Sequence, residues 1–115
     1  MIESYGPRER IRRKTDFSAI YARGRSQKSR YFTLIYLPGD QGHSRMAAVS
    51  SRKVGGAVER NKARRRARDL FRRNKDLLKT PLDILVITRK AIVEAPWPAL
   101  QAEFRAAIET IWRMV

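Results

Sequence analysis

Residues 57–75, AVERNKARRRARDLFRRNK, predict one long helix with two chemically different faces. At 100° per residue the apolar side chains fall on one stripe and the basic ones on another. A helix of this length spans roughly 28 Å, so it can bury one face and keep an arginine face in solvent. The apolar stripe is Ala63, Ala67, Leu70 and Phe71, and the other face carries Asn61, Arg64, Arg65, Arg68 and Arg72, with Arg60 at the border.

The chain after this helix predicts a buried strand and a second amphipathic helix. Residues 80–81, Thr-Pro, break the chain, and residues 83–89 (DILVITR) have the apolar centre of a buried strand. A second break at residues 94–98 precedes a helix that runs to about residue 114 and should cover the core. The apolar stripe of this helix is Leu100, Phe104, Ala107, Ile108, Ile111, Trp112 and Val115.

The chain before the long helix predicts two strands. Residues 30–37 (RYFTLIYL) are rich in β-branched and aromatic types. A turn cluster at residues 38–42 leads to a second strand at 45–51, which we expect to pair with the first as a hairpin. With a period of two, one face of the first strand carries Phe32, Leu34 and Tyr36, the other carries Tyr31, Thr33 and Ile35, and both faces should be covered.

A short first helix is predicted at residues 16–23, with Thr15 as its N-cap and Gly24 at its end. The polar and basic residues 1–14 before it predict an extended or mobile arm. The 115 residues suit a single domain of the α+β class. Its order is α-β-β-(β)-α-β-α, where the bracketed strand is a further short one, and strand 83–89 pairs in parallel with an earlier strand through the long helix.

Positive charge is concentrated in the first two-thirds of the chain. The chain carries 26 Lys and Arg against 11 Asp and Glu, a net charge of +15 at pH 7. Residues 1–75 hold 21 of the basic and 6 of the acidic residues, whereas residues 76–115 hold 5 of each. A surplus confined in this way, with Arg favoured over Lys, predicts a surface for nucleic acid rather than for a membrane.

The composition also excludes several functions. There is no Cys and only one His, so disulfides, thiolate metal sites and histidine clusters are ruled out, and the acidic residues are scattered. The longest aliphatic run, residues 84–87, is too short for a membrane span, and the N-terminus lacks a secretory signal. We expect a soluble, cytoplasmic protein without catalytic or metal-binding residues. His43 is the one candidate general base, and it has no evident partner.

Aromatic residues close to basic ones favour unpaired nucleotides as the ligand, because bases stack on aromatic rings. The candidate platforms are Phe17, Tyr21 and Tyr31, with Arg52 and Lys53 nearby. A position in the core is the alternative role for Phe17.

Residues 52–68, RKVGGAVERNKARRRAR, closely resemble the signature of the bacterial ribonuclease P protein subunit. That signature is two basic residues, an apolar residue and Gly-Asn-Ala-Val, then Arg-Asn-Arg and a basic pair that ends in Arg. The resemblance covers about residues 8–113. Its supporting features are the Asp-Phe pair at 16–17, Gly24, the aromatic strand at 32–37, and the aliphatic run and basic pair at 84–90.

The resemblance implies a fold, a partner and a substrate. The fold would be a two-layer α/β sandwich like a ribosomal protein domain, with a left-handed βαβ crossover around the basic helix. The protein would bind ribonuclease P RNA, which holds the catalytic Mg²⁺, and would help it to remove the 5′ leader of precursor tRNA. The residues implied for the catalytic RNA are Arg60, Asn61, Lys62, Arg64, Arg65 and Arg68, and those for the leader are Phe17, Tyr21, Tyr31, Ser51, Arg52 and Lys53.

Four positions depart from the family pattern. Gly56 stands where Asn is usual, Lys62 replaces an Arg, and Ala63 is smaller than the usual aliphatic residue. Ile35 stands where an aromatic residue is expected on the cleft face, which would remove one stacking platform.

Three other functions compete with this interpretation. The first is a ribosomal or general RNA-binding protein without processing activity. The second is a nuclease with its own site at His43. The third, a helix-turn-helix DNA-binding protein, is disfavoured because Gly55 and Gly56 follow a segment that resembles a strand rather than a first helix.

Overall fold

The computed structural model describes residues 4–115, and this part of the chain forms three α-helices, four strands and four single-turn 3-10 helices. The α+β class is confirmed, and a further short strand is present, but it is β1, which precedes the strand predicted at 30–37 instead of following the one predicted at 45–51. The helices are α1 (Lys14–Arg23), α2 (Ala57–Asn74) and α3 (Trp97–Ile111), and the strands are β1 (Arg25–Lys28), β2 (Phe32–Pro38), β3 (Arg45–Val49) and β4 (Leu82–Thr88).

The strands form one sheet of order β1-β2-β4-β3, in which β4 separates β2 from β3. Val86 of β4 pairs with Leu34 of antiparallel β2 and with Ala48 of parallel β3. The predicted hairpin of β2 and β3 is therefore wrong, and the parallel pairing through the long helix is confirmed. Nearly every residue of β4 is buried, which suits a central strand. The left-handed sense of the crossover stays a prediction.

Alternate residues of β2 and β4 belong to two hydrophobic clusters on opposite faces of the sheet, as a period of two requires. The main cluster includes the buried stripes of α2 and α3, which are confirmed except that Trp112 is only half-buried and Val115 is 45% exposed. α1 and the chain before it cover the other face, which adds a smaller third layer to the predicted sandwich. The smaller cluster consists of Ile11, Ile20, Ala47 and Leu85, against which Phe17 and Ile35 pack.

α1 begins earlier than predicted and ends where predicted. Its first residue is Lys14, preceded by Arg13 in an extended conformation, so Thr15 lies in the first turn and its prediction as the N-cap is wrong. Gly24 ends the helix, and its backbone N–H donates to the carbonyl of Ile20 at 2.8 Å.

The N-terminal segment, residues 4–13, is packed against the domain. The sequence predicts an extended or mobile arm over residues 1–14, of which residues 1–3 lie outside the described residues. Ile11 is only 4% exposed, and its N–H donates to a backbone carbonyl of β3. The Tyr5 hydroxyl donates to the same carbonyl at 2.6 Å. The sequence does not predict this packing, because the contacts join segments far apart in the chain and no local periodicity records them.

Candidate nucleic-acid interface

The N-terminus of α2 is fixed by its own side chains. Gly55 has φ of 146°, which favours glycine, and the N–H of Gly56 donates to Oε1 of Glu59 at 2.9 Å. Arg60 donates from Nη1 to the carbonyl of Gly55 at 3.0 Å. Glu59 thus stabilises the turn before α2. This chain has Gly56 in that turn, where the family usually has Asn.

The outward face of α2 presents the residues implied for the catalytic RNA. Lys62 lies 3.6 Å from a carboxylate oxygen of Glu94, which is 87% exposed, and Arg64 donates to the side-chain oxygen of Asn61. Within residues 4–115, Arg65 and Arg68 make no hydrogen bond or ion pair. Most of this charge is therefore available to a polyanion. Of the six residues, Asn61, Arg65 and Arg68 are exposed, and Arg60, Lys62 and Arg64 are half-buried.

Arg66, the next arginine of the motif, has a different role that the sequence did not indicate. Its guanidinium donates to the carbonyls of Ile92 at 2.6 Å, Val93 at 3.1 Å and Ala95 at 2.8 Å. It also lies 5.9 Å from the ring centroid of Trp97, the first residue of α3. Arg66 therefore links α2 to the segment that leads into α3, and its guanidinium stabilises the fold.

The structure separates the three predicted aromatic platforms. Phe17 is half-buried and packs against the smaller cluster, and Tyr21, one turn later on α1, is 52% exposed. Tyr31 is only 6% exposed and belongs to the main cluster, on the opposite face of the sheet. Phe17 and Tyr21 thus share one helix near the surface, and Tyr31 does not join them.

Ser51, Arg52 and Lys53 lie in the exposed loop between β3 and α2. The N–H of Lys53 donates to Oγ of Ser51 at 3.3 Å. Because β3 and β4 are parallel and end side by side, this loop lies at the same end of the sheet as Arg89 and Lys90. Both of these residues are exposed, and the site prediction did not include them.

A cavity of about 210 Å³, here called the central cleft, connects the N-terminal segment, α1, β3 and α2. Phe17 is the only residue of the predicted leader site in its lining, and Arg68 is the only one of the predicted RNA site. The cleft is lined by Tyr5, Arg10, Ile11, Arg12, Phe17, Ala47, Ala48 and Arg68.

His43, the candidate general base, and the buried carboxylate of Asp83 both have partners within the protein. The ring nitrogens of His43 lie 3.0 Å from the carbonyl oxygen of Gln41 and 2.7 Å from that of Arg8, which ties the turn before β3 to the N-terminal segment. Asp83 accepts a hydrogen bond of 2.6 Å from Arg45, and this bond raises the pKa of the Arg45 guanidinium. Neither residue is placed as a general base.

Residues 4–115 contain no group of three or more His, Asp or Glu residues that could hold a metal ion. In the same part of the chain, none of the helices combines the length and the apolarity needed to cross a membrane.

Comparisons with known proteins show which family the chain resembles. Residues 6–112 match the family model for ribonuclease P. The ribonuclease P protein component of Thermotoga maritima is 40% identical over 94 residues, which is 82% of this chain and 80% of that protein. The corresponding protein of Desulfatibacillum aliphaticivorans is 37% identical over 99 residues, which is 86% of this chain and 84% of that protein.

Solved structures show the same similarity in three dimensions. The RNase P protein from Thermotoga maritima matches with a TM-score of 0.78 and 31% identity, over 88% of this chain and 96% of that one. The RNase P protein from Staphylococcus aureus matches with a TM-score of 0.77 and 29% identity, over 90% and 94%. The chain therefore belongs to the ribonuclease P protein component family, the protein subunit that associates with ribonuclease P RNA in the endoribonuclease of tRNA 5′ processing.

Proposed function

We propose that this protein binds the catalytic RNA through the outward face of α2 and the 5′ leader of precursor tRNA beside α1. The observation that carries the proposal is the unneutralised basic face of α2, on which Arg65 and Arg68 have no partner within residues 4–115. Each phosphate that such a side chain neutralises releases counterions, so binding should depend steeply on salt. The contacts proposed for the catalytic RNA are those of Arg60, Asn61, Lys62, Arg64, Arg65 and Arg68.

The leader is proposed to pass along α1 and the loop after β3. Phe17 and Tyr21 offer rings on which unpaired bases can stack, and the loop offers cations for phosphates. Tyr31 is proposed to support the leader site from the core and not to stack on a base, because its ring is buried in the main cluster. The loop residues are Ser51, Arg52 and Lys53.

Catalysis is proposed to belong to the RNA, with Mg²⁺ bound there. The protein would neutralise phosphates of both RNAs, which lowers the Mg²⁺ concentration that the reaction needs. We expect this to occur in the cytoplasm, where bacterial tRNA is transcribed.

The direct test mixes the purified protein with a bacterial ribonuclease P RNA and labelled precursor tRNA at low Mg²⁺. We expect leader release that requires both components. RNA binding without cleavage would instead favour a general RNA-binding role, and cleavage by the protein alone would require an active site on the protein.

A further inference from the structure

The side chain of His43 lies between two backbone carbonyls. Its Nδ1 atom is 3.0 Å from the carbonyl oxygen of Gln41, in the same turn, and its Nε2 atom is 2.7 Å from that of Arg8, in the N-terminal segment. A carbonyl oxygen only accepts hydrogen bonds, whereas a neutral imidazole carries one N–H donor and one acceptor nitrogen. Either neutral tautomer would therefore leave an acceptor nitrogen facing a carbonyl oxygen. Only the protonated ring can donate to both carbonyls.

The turn that carries His43 is fixed to the sheet on both sides of the histidine. Before it, the N–H of Gly39 donates to the carbonyl of Pro81 at 2.9 Å. After it, Oγ of Ser44 accepts a hydrogen bond of 3.0 Å from the N–H of Leu82, the first residue of β4. The imidazole therefore projects from a turn that the sheet holds in place, and it contacts the N-terminal segment from that fixed position.

The N-terminal segment depends on polar contacts of this kind, because little of it is buried. Ile11 is the one buried residue among residues 4–13. The other attachments are the hydrogen bonds of Tyr5 and Ile11 to β3 and the ion pair of Glu9 with the chain just after α2. His43 adds a contact at the middle of the segment. This contact helps to place the four arginines of the segment, which are Arg8, Arg10, Arg12 and Arg13.

The charged groups around His43 come from three pieces of chain, and their formal charges cancel. They belong to the N-terminal segment, to the chain after α2 and to the turn itself. The basic groups are Arg8, Lys75 and Lys79, and the acidic groups are Glu9, Asp76 and Asp40. Because these charges balance, the two carbonyl acceptors are the feature that favours a proton on the ring.

We infer that His43 is a pH-sensitive latch that holds the N-terminal segment on the domain while its imidazole is protonated and loosens the segment when the imidazole is neutral. The unfolded chain offers the ring no such pair of acceptors, so protonation stabilises the attached segment. Histidine side chains change charge between about pH 5 and 8. The attachment should therefore be strongest at the low end of this range and weaken as pH rises through it. This inference does not depend on the proposed RNA contacts.

The first test compares the urea unfolding of the full-length His43→Gln variant and the wild type at about pH 5.5 and about pH 8.5. We expect a lower urea midpoint for His43→Gln at the lower pH and nearly equal midpoints at the higher pH. Glu9 stays ionised at both values, because its pKa lies below its ordinary value of 4.5. The matched control is Ser44→Ala, which removes an uncharged acceptor from the same turn and should lower the midpoint equally at both pH values.

The second test locates the effect by amide hydrogen exchange of the wild type, corrected for the pH dependence of chemical exchange. The N–H of Ile11 reports on the N-terminal segment, and the N–H of Arg89, which donates to the carbonyl of Tyr31 at 3.0 Å, reports on the far end of the sheet. Between about pH 5.5 and about pH 8.5, the protection of Ile11 should fall several-fold and that of Arg89 should not. This measurement needs no variant, so it decides the question even where His43→Gln does not fold.

Three outcomes would overturn the inference. The first is a difference in urea midpoint between the wild type and His43→Gln that is the same at both pH values, which would mean that the ring contributes through packing or one neutral hydrogen bond. The second is a difference that grows as pH rises, which would mean that the neutral ring holds the segment. The third is protection of Ile11 that does not change with pH.

Discussion

Helices α2 and α3 cover the same face of the sheet, and each buries five residues, but their outward faces differ. α2 carries eight Lys and Arg against two acidic residues, whereas α3 carries one Arg against two. The buried stripes differ too, since α2 contributes two alanines where α3 contributes mainly Leu, Phe and Ile. Both helices cover the sheet with a buried stripe. Only the solvent-exposed side of α2 carries the positive charge that binds a polyanion. The outward face, rather than the burial, therefore carries the functional information.

The largest expected effect is on the packing of α3. Phe104 is fully buried and packs edge-on against Phe32, with centroids 5.5 Å apart. Phe104→Ala should lower the free energy of unfolding by about 3–5 kcal/mol, because it removes a large buried ring and leaves a cavity. Urea unfolding measures this change, and Ala102→Ser, at an exposed position of α3, should stay within about 0.5 kcal/mol. A small loss at Phe104 would mean that α3 does not hold the core.

The next effect tests whether Arg66 belongs to the fold rather than to the RNA interface. Arg66→Met should cost about 2–3 kcal/mol of unfolding free energy, because it removes a charged donor from three backbone carbonyls. Arg65→Met, at the adjacent exposed position, should leave stability nearly unchanged. Urea unfolding of the two variants makes the comparison. Equal unfolding free energies of the two variants would mean that Arg66 is a surface arginine like Arg65.

The same two helices explain what the sequence could predict. Their stripes repeat within one segment, so Ala63, Leu70 and Phe104 were assigned correctly from spacing alone. The pairing of β3 with β4 and the packing of Tyr5 depend on residues far apart in the chain, which local periodicity does not record.

The candidate site, like the fold, has one part that the sequence predicts and one part that it does not. The outward arginines of α2 follow from the helical wheel and the family motif. Arg66 is chemically identical to Arg65, and only the carbonyls that precede α3 distinguish them. The burial of Tyr31 and the placement of Arg12 in the central cleft likewise required the assembled sheet.

A smaller effect sharpens the contrast between the outward faces. Arg65→Gln should weaken binding to ribonuclease P RNA and reduce the magnitude of the salt slope by about one, because one phosphate contact is lost. The matched control is Arg113→Gln, which removes the same charge from the 65% exposed side chain just after α3. The control should leave the slope unchanged, as measured by titration at several salt concentrations. If both variants reduced the slope equally, net charge rather than the face of α2 would govern binding.

The smallest effect concerns the carboxylates paired near the ends of the two helices. After α2, Lys75 pairs with Glu9 of the N-terminal segment, whereas after α3 the more exposed Arg113 pairs with Glu109 of its own helix. Burial raises the pKa of Glu9, but the hydrogen bonds from Lys75 and Gly6 outweigh it and hold the pKa below its ordinary value of 4.5. A lowered folded-state pKa stabilises the protein above the unfolded-state value, and this stabilisation is lost as pH falls through the folded-state value.

Glu9→Gln should therefore be less stable than the wild type at about pH 7, and the difference should shrink toward about pH 3. Urea unfolding at a series of pH values measures the difference, and Glu109→Gln is the control for removing a paired carboxylate near a helix end. The Glu109 variant should show a much smaller dependence, since solvent screens an exposed pair. A Glu9→Gln difference that stays constant with pH would mean that the side chain contributes through packing. The ion pair would then not be what fastens the N-terminal segment to the end of α2.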